Sequence, residues 1–164
     1  MIFLVRDPRD VTASGIDAHD EGGWANRWKD EATRKAAGKT SPERRARERA
    51  EMYLRDMTAT KEAYEAHAGR KSLVRYEDLR AGCPGELKRV YSEIGISVDE
   101  GDLLRSVGER DWSKIPEEEK GPGKAKRKAK SGGWQEDLSP EQIEVVESVT
   151  APFIDGFYKG YYED

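Results

Sequence analysis

The sequence of 164 residues holds a single cysteine, Cys83, which excludes an internal disulfide and points to a reducing compartment. No apolar run approaches the roughly 18 residues of a membrane-spanning helix, and no signal-peptide hydrophobic stretch occurs. Charge of neither sign dominates: 29 Lys and Arg face 33 Asp and Glu, for a net charge of −4. That balance argues against bulk nucleic-acid binding, which usually leaves a basic domain. Hydrophobic residues are scarce too, at 35% against 38% charged, so any core is small beside a long solvated surface. The expectation is a soluble, cytoplasmic protein with one domain over 1–164, since two well-developed domains would need more chain.

What is present begins with Met1-Ile2-Phe3-Leu4-Val5, a continuous apolar run that reads as a strand buried on both faces of a parallel sheet. Only one other convincing strand follows, at 72–76, so the expectation is the C-terminal portion of a larger domain: a fragment, a mis-started gene model or a natural truncation. Pro8 suits the first turn of a helix over 8–20. Trp24 and Trp28, spaced four apart, are expected on one helical face. The longest helical stretch is 42–68, with Ser41 as its cap and Tyr53, Leu54, Met57 and Tyr64 as its apolar stripe. Arg44 stands where a capping box needs Glu or Gln, so no box forms there. A turn is expected at 77–79. Leu87, Val90, Tyr91 and Ile94 recur at helical spacing over 84–94, stopped by Gly95, and a short helix follows over 99–107. Residues 113–133 read as loop, and Ser139 with Gln142 has capping-box spacing for a last helix. The terminal aromatics Phe157, Tyr158, Tyr161 and Tyr162 are expected to pack.

Three segments could carry chemistry. In the first, Arg6 leaves a strand just before the helix that begins at Pro8, where open α/β sheets bind ligands and where helix N–H groups favour anions. Arg6 would present a two-pronged fork to a phosphate, and Ser14, two turns on, could add a hydroxyl. The alternative is an arginine paired with Asp10 in an ordinary turn. In the second, five basic residues fall between Lys124 and Lys130, flanked by Gly121, Gly123, Gly132 and Gly133. These suit an anionic partner approached by backbone N–H groups, or else a solvated basic loop. Trp134 reads as an anchor into the core. In the third, Tyr76 at the end of the second strand faces a ligand or belongs to the core.

Together the segments resemble the sulfotransferases that use PAPS, 3′-phosphoadenosine-5′-phosphosulfate. Arg6-Asp7-Pro8-Arg9-Asp10 through Ser14 is similar to the family's 3′-phosphate motif. Arg75-Tyr76-Glu77-Asp78-Leu79 resembles its Y-E-D-L segment. Arg127-Lys128-Ala129 with Ser131-Gly132-Gly133-Trp134 resembles its R-K-G-x-x-G-D-W motif. All three occur in family order. The resemblance implies a helix-rich α/β fold, a partial P-loop-like parallel sheet with flanking helices. It implies PAPS as sulfuryl donor, an acceptor hydroxyl or amine on a small molecule, glycan or lipid, and no metal. Arg6, Ser14, Arg127 and Lys128 would hold the 3′-phosphate with backbone support at Ala129, and Tyr76 would lie along the adenosine. Trp24, Trp28 and the helix at 42–68 either pack in the core or help to form the acceptor pocket or its lid.

Departures are equally specific. Ala129 replaces a motif glycine, which tests whether the backbone there needs a positive φ. Gly133 replaces an aspartate and removes a turn-stabilising carboxylate. Gln135, Ser139 and Pro140 break the family's dimerisation pattern, leaving only Glu144. The family's phosphosulfate loop and general-base histidine lie upstream of the first motif, so the expectation is a chain that is catalytically incomplete alone. His19 follows the motif rather than preceding it, and His67 reads as surface. The other readings left open are an inactive nucleotide-binding remnant and a helical interaction module.

Overall fold

The short apolar run at the start forms strand β1, Ile2–Val5, in a computed structural model that describes residues 1–20, 22–28 and 40–161. The chain divides into two units, Met1–Arg6 with Asp56–Pro116 and Asp7–Arg55 with Glu117–Asp164.

In the first unit β1 pairs in parallel with β2, Ser72–Arg75, placing Ile2 opposite Ser72 and Val5 opposite Arg75. Phe3 and Val5 are fully buried, whereas Ile2 and Leu4 are 48% and 51% exposed. The expectation of a strand buried on both faces is therefore corrected. Successive side chains of a strand point to opposite sides, and among the described residues only the Phe3 and Val5 side is covered. Tyr64 supplies part of that cover, its ring 5.5 Å from Phe3. It belongs to helix α2, Pro42–Ala66, whose residues from Asp56 onward lie in this unit.

The turn expected at 77–79 is also corrected. Residues Tyr76–Ala81 form helix α3, which starts directly at the end of β2. Glu77 and Asp78 fall in its first turn, where carboxylates offset the positive end of the helix dipole. Helix α4, Cys83–Ile94, follows with Pro84 in its first turn and ends at Gly95 in the left-handed region. Helix α5, Glu100–Glu109, is capped by the Asp99 side chain.

The second unit is helical. Helix α1, Pro8–His19, is capped by Asp7, whose carboxylate accepts the Arg9 N–H at 2.8 Å. Residues Trp24–Trp28 form a 3-10 helix rather than an α-helix, and the Trp28 side chain lies outside what the structure describes. Trp24 is exposed, so core packing is excluded for it. The Ser41 hydroxyl accepts the Arg44 N–H at the start of α2, as a cap should. Helix α6, Trp134–Asp137, is one turn long and leads to α7, Pro140–Phe157, which opens with the expected capping box.

Among the described residues, two apolar clusters hold these helices together. Ala13, Trp134 and Leu138 form one, with Ile16 against it, so Trp134 is the anchor the sequence suggested. Ala46, Ala50 and Val146 form the other, where alanines bring α2 close to α7. Between Lys114 and Trp134 the chain is largely irregular, apart from a 3-10 turn at Glu117–Glu119. Near the end, Tyr158 is buried and Tyr161 meets its ring edge-on at 5.9 Å. Tyr162 lies outside the described residues. The fold is thus helix-rich α/β with a parallel strand pair, and no described helix is long and apolar enough to cross a membrane.

Candidate functional site

Helix α1 organises the second unit through its acidic and basic side chains. The Arg9 guanidinium grips Asp7 with two prongs, Nε to Oδ1 at 3.0 Å and Nη2 to Oδ2 at 2.7 Å. Its Nη1 reaches Glu147 of α7 at 2.8 Å. The same guanidinium lies 4.0 Å from the centre of the Trp134 ring, a cation–π contact. Burial works against the charge on Arg9, but hydrogen bonding and attraction from Asp7, then Glu147, hold its pKa above the ordinary arginine value.

The basic segment meets this helix. Asp10, offered by the sequence as a partner for Arg6, accepts the main-chain N–H groups of Gly132 at 2.8 Å and Trp134 at 2.9 Å. Asp17 accepts the N–H of Gly123 at 3.0 Å. The turn before Trp134, where the motif aspartate is missing, is therefore secured by a carboxylate from α1. Sequence reasoning missed Arg9, Asp10 and Asp17 in these roles. A seven-residue spacing marks one helix face, but nothing local announced partners more than a hundred residues away.

Within the basic segment, two cations converge on one carboxylate. Arg127 Nη1 donates to Asp137 Oδ2 and Lys128 Nζ to Asp137 Oδ1, both at 2.6 Å. Lys128 also reaches Glu136 at 3.5 Å, and Lys130 pairs with Glu136. Burial opposes the charge on Asp137, yet hydrogen bonds from Lys128 and Arg127 outweigh it and keep the pKa below the usual aspartate range. Reciprocally, the Asp137 hydrogen bond raises the Lys128 pKa. The sequence reading counted the cations and overlooked these acids just after Trp134.

Between Lys128 and Lys130, Ala129 adopts φ of +46°, the single positive φ outside glycine among the described residues. The motif glycine that it replaces is thus at a position that requires the left-handed region. An L side chain there carries steric strain of about 1–2 kcal/mol. Ala129→Gly should raise stability by about 1 kcal/mol, read as a higher urea midpoint at unchanged slope. An unchanged or lower midpoint would contradict the strain.

The remaining expected residues fall as follows. Ser14 is half-buried on α1, on the same face as Asp10 and Asp17 by helical periodicity. Arg6 and Tyr76 are together in the first unit, the Arg6 guanidinium 4.5 Å from the Tyr76 ring centre. Tyr76 stands at the start of α3 rather than within a strand. His19 has Nδ1 within 2.9 Å of the Gly15 carbonyl oxygen one turn back, and His67 is exposed.

What this arrangement can do follows from its charges. Arg127, 12% exposed, and Asp137, 17% exposed, form a partly buried pair. An oxyanion is already accommodated between a guanidinium and an ammonium at hydrogen-bonding distance, on a loop pinned to a neighbouring helix. Against known proteins, the family model for the sulfotransferase domain matches residues 1–157. No curated protein and no solved structure matches the chain.

Proposed function

Because the chain belongs to the sulfotransferase family, we propose that its sulfuryl donor is PAPS. The 3′-phosphate of the donor would be held by Ser14, Arg127, Lys128 and the main-chain N–H of Ala129. The observation that supports this most is the convergence of Arg127 and Lys128 on one carboxylate, each at 2.6 Å. A phosphate monoester offers close to two negative charges and three acceptor oxygens, so it suits that pair better than a single carboxylate does. The residues present fit the group. In the first unit, Arg6 and Tyr76 keep the residue types of their two motifs, and their mutual stacking supports their being ordered together.

When bound, PAPS supplies a sulfuryl group to an acceptor hydroxyl or amine. The sulfur–oxygen bond to the 5′-phosphate would break as a bond to the acceptor oxygen or nitrogen forms, the acceptor proton would pass to a base or to water, and adenosine 3′,5′-bisphosphate would depart. The part assigned to the residues of this chain is binding: neutralising the 3′-phosphate and fixing the nucleotide. The acceptor class is a small molecule, glycan or lipid, the sheet belongs to a P-loop-like arrangement, and the compartment is the cytoplasm.

Ligand-induced stabilisation tests the donor. Adenosine 3′,5′-bisphosphate at about 100 times its Kd should raise Tm by roughly 5–10 °C, by mass action on a chain of this size. Adenosine 5′-monophosphate at the same concentration should give a much smaller rise. Equal shifts would remove the 3′-phosphate assignment.

A further inference from the structure

The loop that carries Arg127 and Lys128 is held at both ends from one helix. Asp17 takes the N–H of Gly123 at one end, and Asp10 takes those of Gly132 and Trp134 at the other. With 3.6 residues per turn, positions 10, 14 and 17 fall within about 60° of one another around α1. We propose that Asp10 and Asp17 are positioning residues that staple the ends of the basic loop to the face of α1 bearing Ser14. The proposal rests on the reading of that loop as a 3′-phosphate site.

Several observations support it. Asp10 is 1% exposed, and a carboxylate is not buried at such a place without strong donors to satisfy it. Two main-chain N–H groups do so, at the short distances of charge-assisted bonds. A glycine with positive φ sits at each staple, Gly123 at +71° and Gly132 at +73°, so the backbone turns its N–H groups toward the carboxylates. A Cβ at Gly123 would also come within 3.1 Å of the Gly22 carbonyl oxygen, so the close approach there requires glycine. Arg9 adds a third hold by lying over the Trp134 ring. The stretch between the staples has little regular structure, and five like charges would spread it apart. A loop that must be ordered when its ligand arrives binds more weakly than one already fixed.

The test uses the full chain, with Asp10→Asn, Asp17→Ala and the double variant titrated with adenosine 3′,5′-bisphosphate and with adenosine 5′-monophosphate. An amide at position 10 keeps one acceptor and turns a donor toward the second N–H, so one bond is lost with little change of volume. Each single variant should lose about tenfold in bisphosphate affinity, and the double more, while monophosphate affinity stays unchanged. Val146→Ala, in the separate cluster with Ala46 and Ala50, is the control for stability alone. It should lower Tm and leave the preference for the bisphosphate intact. If Asp10→Asn does not fold, Asp17→Ala, which removes the acceptor at the partly exposed staple, decides the matter. An unchanged preference in the variants at positions 10 and 17 that fold, or an equal loss in Val146→Ala, would overturn the positioning role. A wild-type protein that shows no preference for the bisphosphate would instead remove the underlying site, and this proposal with it.

Discussion

Arg127→Ala should lower the affinity for adenosine 3′,5′-bisphosphate by about 100-fold, with little change in folding stability. Two charge-assisted hydrogen bonds to a phosphate, each on the order of 1.5 kcal/mol or more, account for that loss. Arg127 spends one nitrogen on Asp137, and its buried Nε has no hydrogen-bond partner among the described residues. Donor capacity therefore remains for a second oxyanion. Removing the guanidinium does not strand Asp137, because Lys128 still donates to its other oxygen. Stability should consequently move by less than about 1 kcal/mol, as for partly exposed ion pairs. Arg127→Lys should fall between, near tenfold, since an ammonium keeps the charge but not the planar fork. Isothermal titration of the three proteins measures this directly. Wild-type affinity in Arg127→Ala would take the residue out of the site.

Arg9→Ala should have the largest effect on folding, a loss of about 3–5 kcal/mol. Its partner Asp7 is fully buried and takes both prongs of the guanidinium, so truncation leaves an ionised carboxylate in a dry position. The same change removes the bond to Glu147 and the contact with Trp134, thereby loosening α1 from both α7 and α6. Domains of this size have total stabilities of about 5–15 kcal/mol, so the variant would be partly unfolded or close to it. Arg9→Lys should recover only part of the loss, because one ammonium cannot satisfy both Asp7 oxygens in the same geometry. Urea unfolding gives the numbers. A change below about 1 kcal/mol for Arg9→Ala would mean that Asp7 finds other donors without cost.

Local signals in the sequence survive intact. The capping box at Ser139 and Gln142, the apolar spacing through Leu87, Val90 and Ile94, the stop at Gly95 and the cap at Ser41 all appear where short-range physics places them. The strands at 2–5 and 72–75 were legible as short apolar runs, whereas their parallel pairing with each other was not. The failures that concern packing and partners share one cause, a contact distant in sequence. Ile2 and Leu4 are apolar without being covered among the described residues, and an apolar run does not say which of its sides is packed. A six-residue helix at Tyr76–Ala81 is too short to show a period. The acids of the site were harder still: Asp10 finds its partners 122 and 124 residues away and Asp17 its partner 106 residues away. The strain at Ala129 was the exception, because the resemblance put a glycine at that position and so posed the question that its φ answers.

A calorimetric comparison of adenosine 3′,5′-bisphosphate with adenosine 5′-monophosphate tests the central claim most directly. The two ligands differ only by the phosphate assigned to Arg127 and Lys128. A Kd at least about 100-fold lower for the bisphosphate, shrinking as salt is added, is the predicted result. Equal constants for the two ligands at low salt would contradict it.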